Sequence, residues 1–152
     1  ALGGCHRGAA VEGLCTTKQT YRDAATDYTT FHFNTTSRSE PTAPETDGAI
    51  ARDLRYSDGG LIAPLAMLFS ENRDSDLDTP IMQTSPYFYT LVRFDAAASL
   101  YRQEQGQKLK NWYVCDALYN SSYTTLEWKT WAGEEPQESL NCQKVEVVRV
   151  WV

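Results

Sequence analysis

The sequence predicts an all-β protein, a single-domain antiparallel sandwich or barrel with a disulfide-stapled N-terminal arm. Three observations carry that expectation. Aromatic residues make up 12% of the chain and sit beside Thr and Val in short runs, the residue types that fit a pleated, half-buried surface. Gly, Pro, Ser and Asp signals separate these runs, and no long stretch repeats apolar residues at the helical period. The four cysteines fall into two local sets, Cys5 with Cys15 and Cys115 with Cys142. A chain of 152 residues can bury roughly 70% of its unfolded surface around one core, so 1–152 is read as one domain.

Taken in order, residues 1–20 are Gly-rich, carry the first cysteine pair and show no period, which suits a stapled arm lying on the domain. Residues 28–35 (YTTFHFNT) form the first expected strand, with Phe31 and Phe33 on one face and His32 on the other. Residues 37–48, with Pro41, Pro44 and Gly48, read as a surface loop. The apolar segments 49–56 and 61–69 flank the turn signal Ser57-Asp58-Gly59-Gly60 and suggest a hairpin or two adjacent edge strands, although 63–69 also fits a helix by period. Residues 70–86 are polar and acidic and read as a second surface loop.

The run 87–95 (YFYTLVRFD) is the strongest strand signal. Phe88, Thr90, Val92 and Phe94 share one face and Tyr87, Tyr89, Leu91 and Arg93 the other, so both faces call for cover, as in a central strand. Residues 102–110 lack an apolar stripe and read as an exposed hairpin loop. Three strands close the chain at 111–117, 123–131 and 144–152. In the last, KVEVVRVWV, the alternation slips at Val147-Val148, where a β-bulge is expected. Alternation in 124–131 directs Leu126 and Trp128 to the core, leaves Glu127 and Lys129 exposed, and sends Trp131 to the outer face or strand end.

The formal charge of −6 repels phosphate backbones and anionic lipid head groups, so neither nucleic acid nor a membrane surface is an expected partner. The longest apolar candidate, 61–69, contains Pro64 and falls well short of the ~20 residues of a membrane-spanning helix. An even cysteine count without a CxxC pair favours disulfides; three pairings are formally possible, and the local one, Cys5–Cys15 with Cys115–Cys142, is expected because each closes a short loop. The sequons Asn34-Thr35-Thr36 and Asn120-Ser121-Ser122, whose Asn34 and Asn120 side chains should then be exposed, point with the cysteines to a secreted glycoprotein. The small-residue start at Ala1 fits a mature N-terminus after signal removal.

Chemistry-bearing patterns are sparse. Asp74, Asp76 and Asp78 alternate as calcium ligands do, but the sixth position of such a loop is Thr79 where Gly is needed and the twelfth is Ser85 where Glu is needed. A solvated acidic loop is the better reading, and no metal or cofactor is expected. The two histidines, His6 and His32, have no nucleophile motif beside them, and neither GxSxG nor HExxH occurs, so no catalytic residue is assigned. Asp116 and Glu127 lie on neighbouring expected strands and form the one carboxylate pair suited by adjacency to glycoside hydrolysis. Aromatics cluster late in the chain. Trp112, Tyr113, Tyr119, Tyr123 and Trp131 are the ligand-binding candidates, with alternate members of the set, Trp128 among them, filling the core; flat faces of this kind stack on sugars or bury a partner's apolar group.

The runs Asn-Trp-Tyr-Val-Cys at 111–115, Thr-Leu-Glu-Trp at 125–128 and Asn-Cys-Gln-Lys-Val-Glu-Val-Val-Arg-Val at 141–150 resemble a group of small secreted proteins of ascomycete fungi. Cys5-His6-Arg7-Gly8-Ala9-Ala10, Gly13-Leu14-Cys15 and Phe31-His32-Phe33-Asn34 resemble the opening of the same group. More distantly, a WYxC strand paired with a late cysteine before an apolar final strand is similar to fungal cell-wall and allergen-type β proteins. The resemblance implies an extracellular or wall-associated β protein and assigns no activity. The leading expectation is a secreted binding or wall-associated protein without catalysis, whose partner is a carbohydrate, a small apolar molecule or another extracellular protein. The alternative is a small extracellular enzyme acting on carbohydrate or a small molecule through carboxylates on the sheet, and a third reading is a purely structural wall component. A filled interior with an exposed aromatic face favours binding, and a deep carboxylate-lined pocket favours the enzyme.

Overall fold

β-branched and aromatic residues recur in short runs along much of the chain, and in the computed structural model every regular element among the described residues is a strand. These residues are 1–8, 10–18, 29–35, 44–55, 62–71, 76–84, 88–116, 123–130 and 141–151. The strands are β1 (Leu2–Gly8), β2 (Val11–Thr16), β3 (His32–Thr35), β4 (Gly48–Arg55), β5 (Ile62–Ser70), β6 (Leu77–Gln83), β7 (Leu91–Phe94), β8 (Leu100–Glu104), β9 (Gln107–Leu109), β10 (Trp112–Asp116), β11 (Thr124–Lys129) and β12 (Gln143–Lys144). They form one antiparallel sheet in the order β12-β10-β11-β2-β6-β5-β4-β7-β8-β9, with β1 added to β2, β3 to β4, and a further β11–β6 pairing.

The sheet curls around one apolar face. Leu14, Leu65, Met67, Met82, Val92, Phe94, Leu100, Trp112, Leu126 and Trp128 form the core there, and Phe31, Phe33, Phe69, Val145 and Val147 pack against it. The chain downstream of β12 joins the two ends of the curl. The amide of Val145 donates to the carbonyl of Trp112 on β10, while the amide of Leu100 donates to Val147 and that of Arg149 to Ala98, at the start of β8. The indole Nε1 of Trp112 adds a buried bond of 2.8 Å to the Leu100 carbonyl. A barrel-like enclosure follows from these bonds, because one short segment pairs with both otherwise separate edges.

Several sequence expectations are corrected. The disulfide-stapled N-terminal segment does more than lie on the domain: β1 and β2 form a hairpin, and β2 lies between β11 and β6 with Leu14 and Cys15 buried. Residues 70–86 hold a strand, β6, in the middle of the sheet, with Leu77, Pro80 and Met82 buried. Its Pro80 faces Phe69 of β5 and falls where the other neighbour changes from β11, paired at 77–78, to β2, paired at 81–83, so the missing amide N–H interrupts neither ladder. The strand expected at 87–95 shrinks to β7; Val92 and Phe94 are buried as expected, whereas Phe88 is 73% exposed and Tyr89 and Leu91 are also exposed.

The polar stretch 102–110 is largely ordered as the β8–β9 hairpin. Gln105 and Gly106, with φ of 47° and 79°, supply the two left-handed positions of a tight turn whose twist matches the strands. The helical alternative for 63–69 gives way to β5, which pairs with β4 as the expected hairpin. At the C-terminal end only β12 and a bridge between Ser99 and Val148 count as strand pairing. The expected bulge at Val147-Val148 does not form: Val145, Val147 and Arg149 are partly covered and Glu146, Val148 and Val150 exposed, so alternation runs through unbroken.

Candidate functional site

The tryptophans of the described residues separate into interior and exterior. Trp112 and Trp128 lie at directly paired positions of β10 and β11 and so project to one face, where their rings meet edge-on at 4.7 Å. Phe69 packs at 6.0 Å from each, and the guanidinium of Arg102 lies over Phe69 and Trp128 while pairing with Glu104 at 3.0 Å. Trp112 and Trp128 are essentially inaccessible, so Trp128 is core as expected and Trp112 offers no face to a ligand. Tyr113 is buried on the opposite face of β10 in a small cluster with Leu77, Cys115 and Cys142. Of the ligand candidates Tyr123 is exposed, and Tyr119 and Trp131 lie outside the described residues.

Both expected disulfides are present, Cys5–Cys15 across the β1–β2 hairpin and Cys115–Cys142 between β10 and the residue preceding β12. Asn34 is exposed on β3, as its sequon requires; Asn120 lies outside the described residues. His6 and His32 are both exposed, His32 opposite Ala51. Asp74 is likewise outside the described residues. Asp76 serves structure, its carbonyl accepting from the amide and hydroxyl of Thr130 and its carboxylate lying 4.0 Å from Lys129 Nζ. Among the described residues no three His, Cys, Asp or Glu side chains converge on a point where a metal ion would sit.

The carboxylate pair does not assemble. Register sets Glu127 opposite Tyr113 and Asp116 opposite Thr124. Asp116 is exposed and accepts from Asn141 Nδ2 at 2.8 Å. Glu127, expected outside, is buried and accepts from Thr125 Oγ1 at 2.7 Å, because β11 is covered on both faces. Burial pushes its carboxyl above the ordinary range, against the opposing effect of the Thr125 and Thr79 hydroxyls. Lys129, also expected outside, is buried for the same reason.

Besides Phe88, Tyr89, Leu91 and Tyr123, exposed apolar side chains lie along the final segment. Arg149 alternates inward with Val145 and Val147, and its guanidinium is stacked 4.5 Å from the Phe94 ring and 4.1 Å from the ring of Trp151. Its Nε is buried without a hydrogen-bond partner, and among the described residues no carboxylate pairs with it. Desolvation lowers its pKa. Other cations are treated differently: Arg52 has Glu12 at 3.3 Å, Arg93 grips Asp47 through Nε and Nη2 at 2.6 and 2.9 Å, and Lys110 lies 2.7 Å from Asp95 and 3.2 Å from Glu146. Ser99 Oγ and Lys108 also hold Glu146 and Glu45 respectively. The indole of Trp151 is 57% exposed; Val148 and Val150, which alternate to the other side of the segment, are exposed as well.

Arg149 and Trp151 lie outside the aromatic set expected from the sequence, which ends at Trp131. Their signal was available in the alternation of 145–151, which places both on one side of an extended segment. Fold and site together define an all-β, disulfide-bonded protein with a side-chain-filled core and a cation–aromatic patch at its surface. Comparison with protein-family models, with curated proteins and with solved structures finds no match to the chain.

Proposed function

We propose that this chain is a secreted binding protein of the fungal extracellular or wall-associated type, and that it holds a carbohydrate on the outside of its sheet. The observation that carries the reading is the division of its tryptophans: Trp112 and Trp128 fill the curl, whereas Trp151 presents its ring to solvent on an arginine. An aromatic ring open to solvent next to a stacked cation is suited to a ligand's flat apolar face. Two disulfides suit an oxidising compartment, and the exposed Asn34 side chain is compatible with glycan attachment.

Affinity electrophoresis in gels containing fungal and plant wall polysaccharides tests this directly. The wild-type protein should be retarded by at least one polymer, and Trp151→Ala should lose about tenfold or more in affinity, since roughly 1.4 kcal/mol is one decade and ring stacking supplies energy of that order. Unchanged retardation in Trp151→Ala and Tyr123→Ala would move the site elsewhere. Release of shorter oligosaccharides from a soluble polymer would instead favour the enzymatic alternative.

A further inference from the structure

We infer that Arg149 and Trp151 form a subsite for a carboxylate-bearing sugar, a uronic acid residue. The inference rests on the carbohydrate-binding reading and specifies its ligand. A guanidinium offers five donors in a planar fork and is best satisfied by a carboxylate, which accepts two parallel bonds from it. At Arg149 that demand is unmet: the Nε is buried and lacks a hydrogen-bond partner, and no carboxylate of the described residues pairs with it. The acidic groups closest in the pattern are committed elsewhere, Glu146 to Ser99 and Lys110 and Asp95 to Lys110. The sealed Nε shows that no carboxylate neutralises this guanidinium from within the fold, which leaves its terminal amines as the donors an incoming carboxylate would meet.

The neighbouring ring supplies the other half of the recognition. Trp151 lies 4.1 Å from the Arg149 guanidinium and is 57% exposed, so the indole borders the cation and keeps surface open to solvent. One indole matches the footprint of one pyranose, whose C–H face stacks on the ring. A uronic acid joins such a face to a carboxylate within a single residue, and the adjoining ring and guanidinium match those two features. The net charge of −6 opposes anions at long range, so an anion retained here is held by contact geometry rather than by the overall field.

The test varies the ligand against the unmodified protein, so it does not depend on whether a variant folds. Isothermal titration would compare trigalacturonic acid, its methyl ester, neutral galactotriose and hexaglutamate. The acid should bind about tenfold or more tightly than its ester, one decade being the scale of a charge-assisted pair. Arg149→Gln should bring acid and ester to equal affinity, and Trp151→Ala should weaken both. Equal binding of acid, ester and neutral trimer by the wild-type protein overturns the uronate subsite while leaving the carbohydrate reading intact. Failure of all three sugars overturns both, and binding of hexaglutamate alone overturns both in favour of an acidic peptide.

Discussion

At the scale of single residues, burial decides which side chains carry stability. Trp128 packs against both Trp112 and Phe69, and its replacement by Ala should cost about 3–5 kcal/mol in denaturant unfolding, the usual range for a large core truncation. Gly48 faces a similar constraint, since a Cβ there would sit 2.5 Å from Phe33, so Gly48→Val should lower the denaturation midpoint by displacing that ring from the core. Glu127 gives a pH signature. Burial raises its pKa above the ordinary 4.5, so over the interval between these values the folded protein holds a proton that the unfolded chain releases. The unfolding free energy therefore falls as pH rises through that interval. Glu127→Gln should flatten this slope, stabilise the protein at pH 7 and change little below about pH 4; greater stability of the wild type at pH 7 would contradict the sign. Asp47, held below its ordinary 3.8 by Arg93, acts oppositely, adding stability above that value that is lost on acidification. The alternation of Leu126 and Trp128 was legible in the sequence. The burial of Glu127 was not, because one strand's alternation cannot tell whether its second face is also covered.

Among the elements, legibility followed side-chain content. The β4–β5 hairpin announces itself by apolar runs around a Gly-Gly turn signal, and β10 and β11 by aromatic alternation. The β1 and β2 strands were hidden because Gly3, Gly4, Gly8 and Gly13 carry no side chain to set a period, and their extended state is fixed by partners on both sides of β2. Likewise β6 contains Asp78 and Pro80, which depress strand propensity, yet Pro80 is tolerated at the changeover between β11 and β2. The two disulfides permit a quantitative contrast. Cys115–Cys142 spans 27 residues and Cys5–Cys15 spans 10, so chain-entropy arithmetic makes the former more stabilising by about 1 kcal/mol. Paired Cys→Ser variants, each lacking one bridge, should show that order in their unfolding midpoints, and a reversal would mean that the β1–β2 hairpin governs stability more than loop length does.

For the molecule as a whole, the final segment bonds to both β10 and β8 across the curl, and the core side chains of the described residues pack inside it. Trp112 is central to this, bonded through Nε1 to the Leu100 carbonyl and stacked against Trp128. Closure also explains why the last strand was misread: 145–149 divides its hydrogen bonds between β10 and β8, so it is extended and alternating without forming one long ladder. An apolar run in sequence does not show how its partners are shared. The segment that closes the sheet also carries Arg149 and Trp151 at its surface, which ties binding to the integrity of the closure. Val147→Asp, which places a charge against the core at that seam, should both lower stability and weaken trigalacturonate binding, read by denaturation and by titration of the same preparation. Whether ligand is held outside the curled sheet is decided by two-dimensional NMR of the indole and guanidinium N–H signals during trigalacturonate titration. Trp151 Nε1–H and Arg149 Nε–H should shift while Trp112 and Trp128 stay fixed; shifts at Trp112 and Trp128 with Trp151 unmoved would place the ligand inside the curl instead.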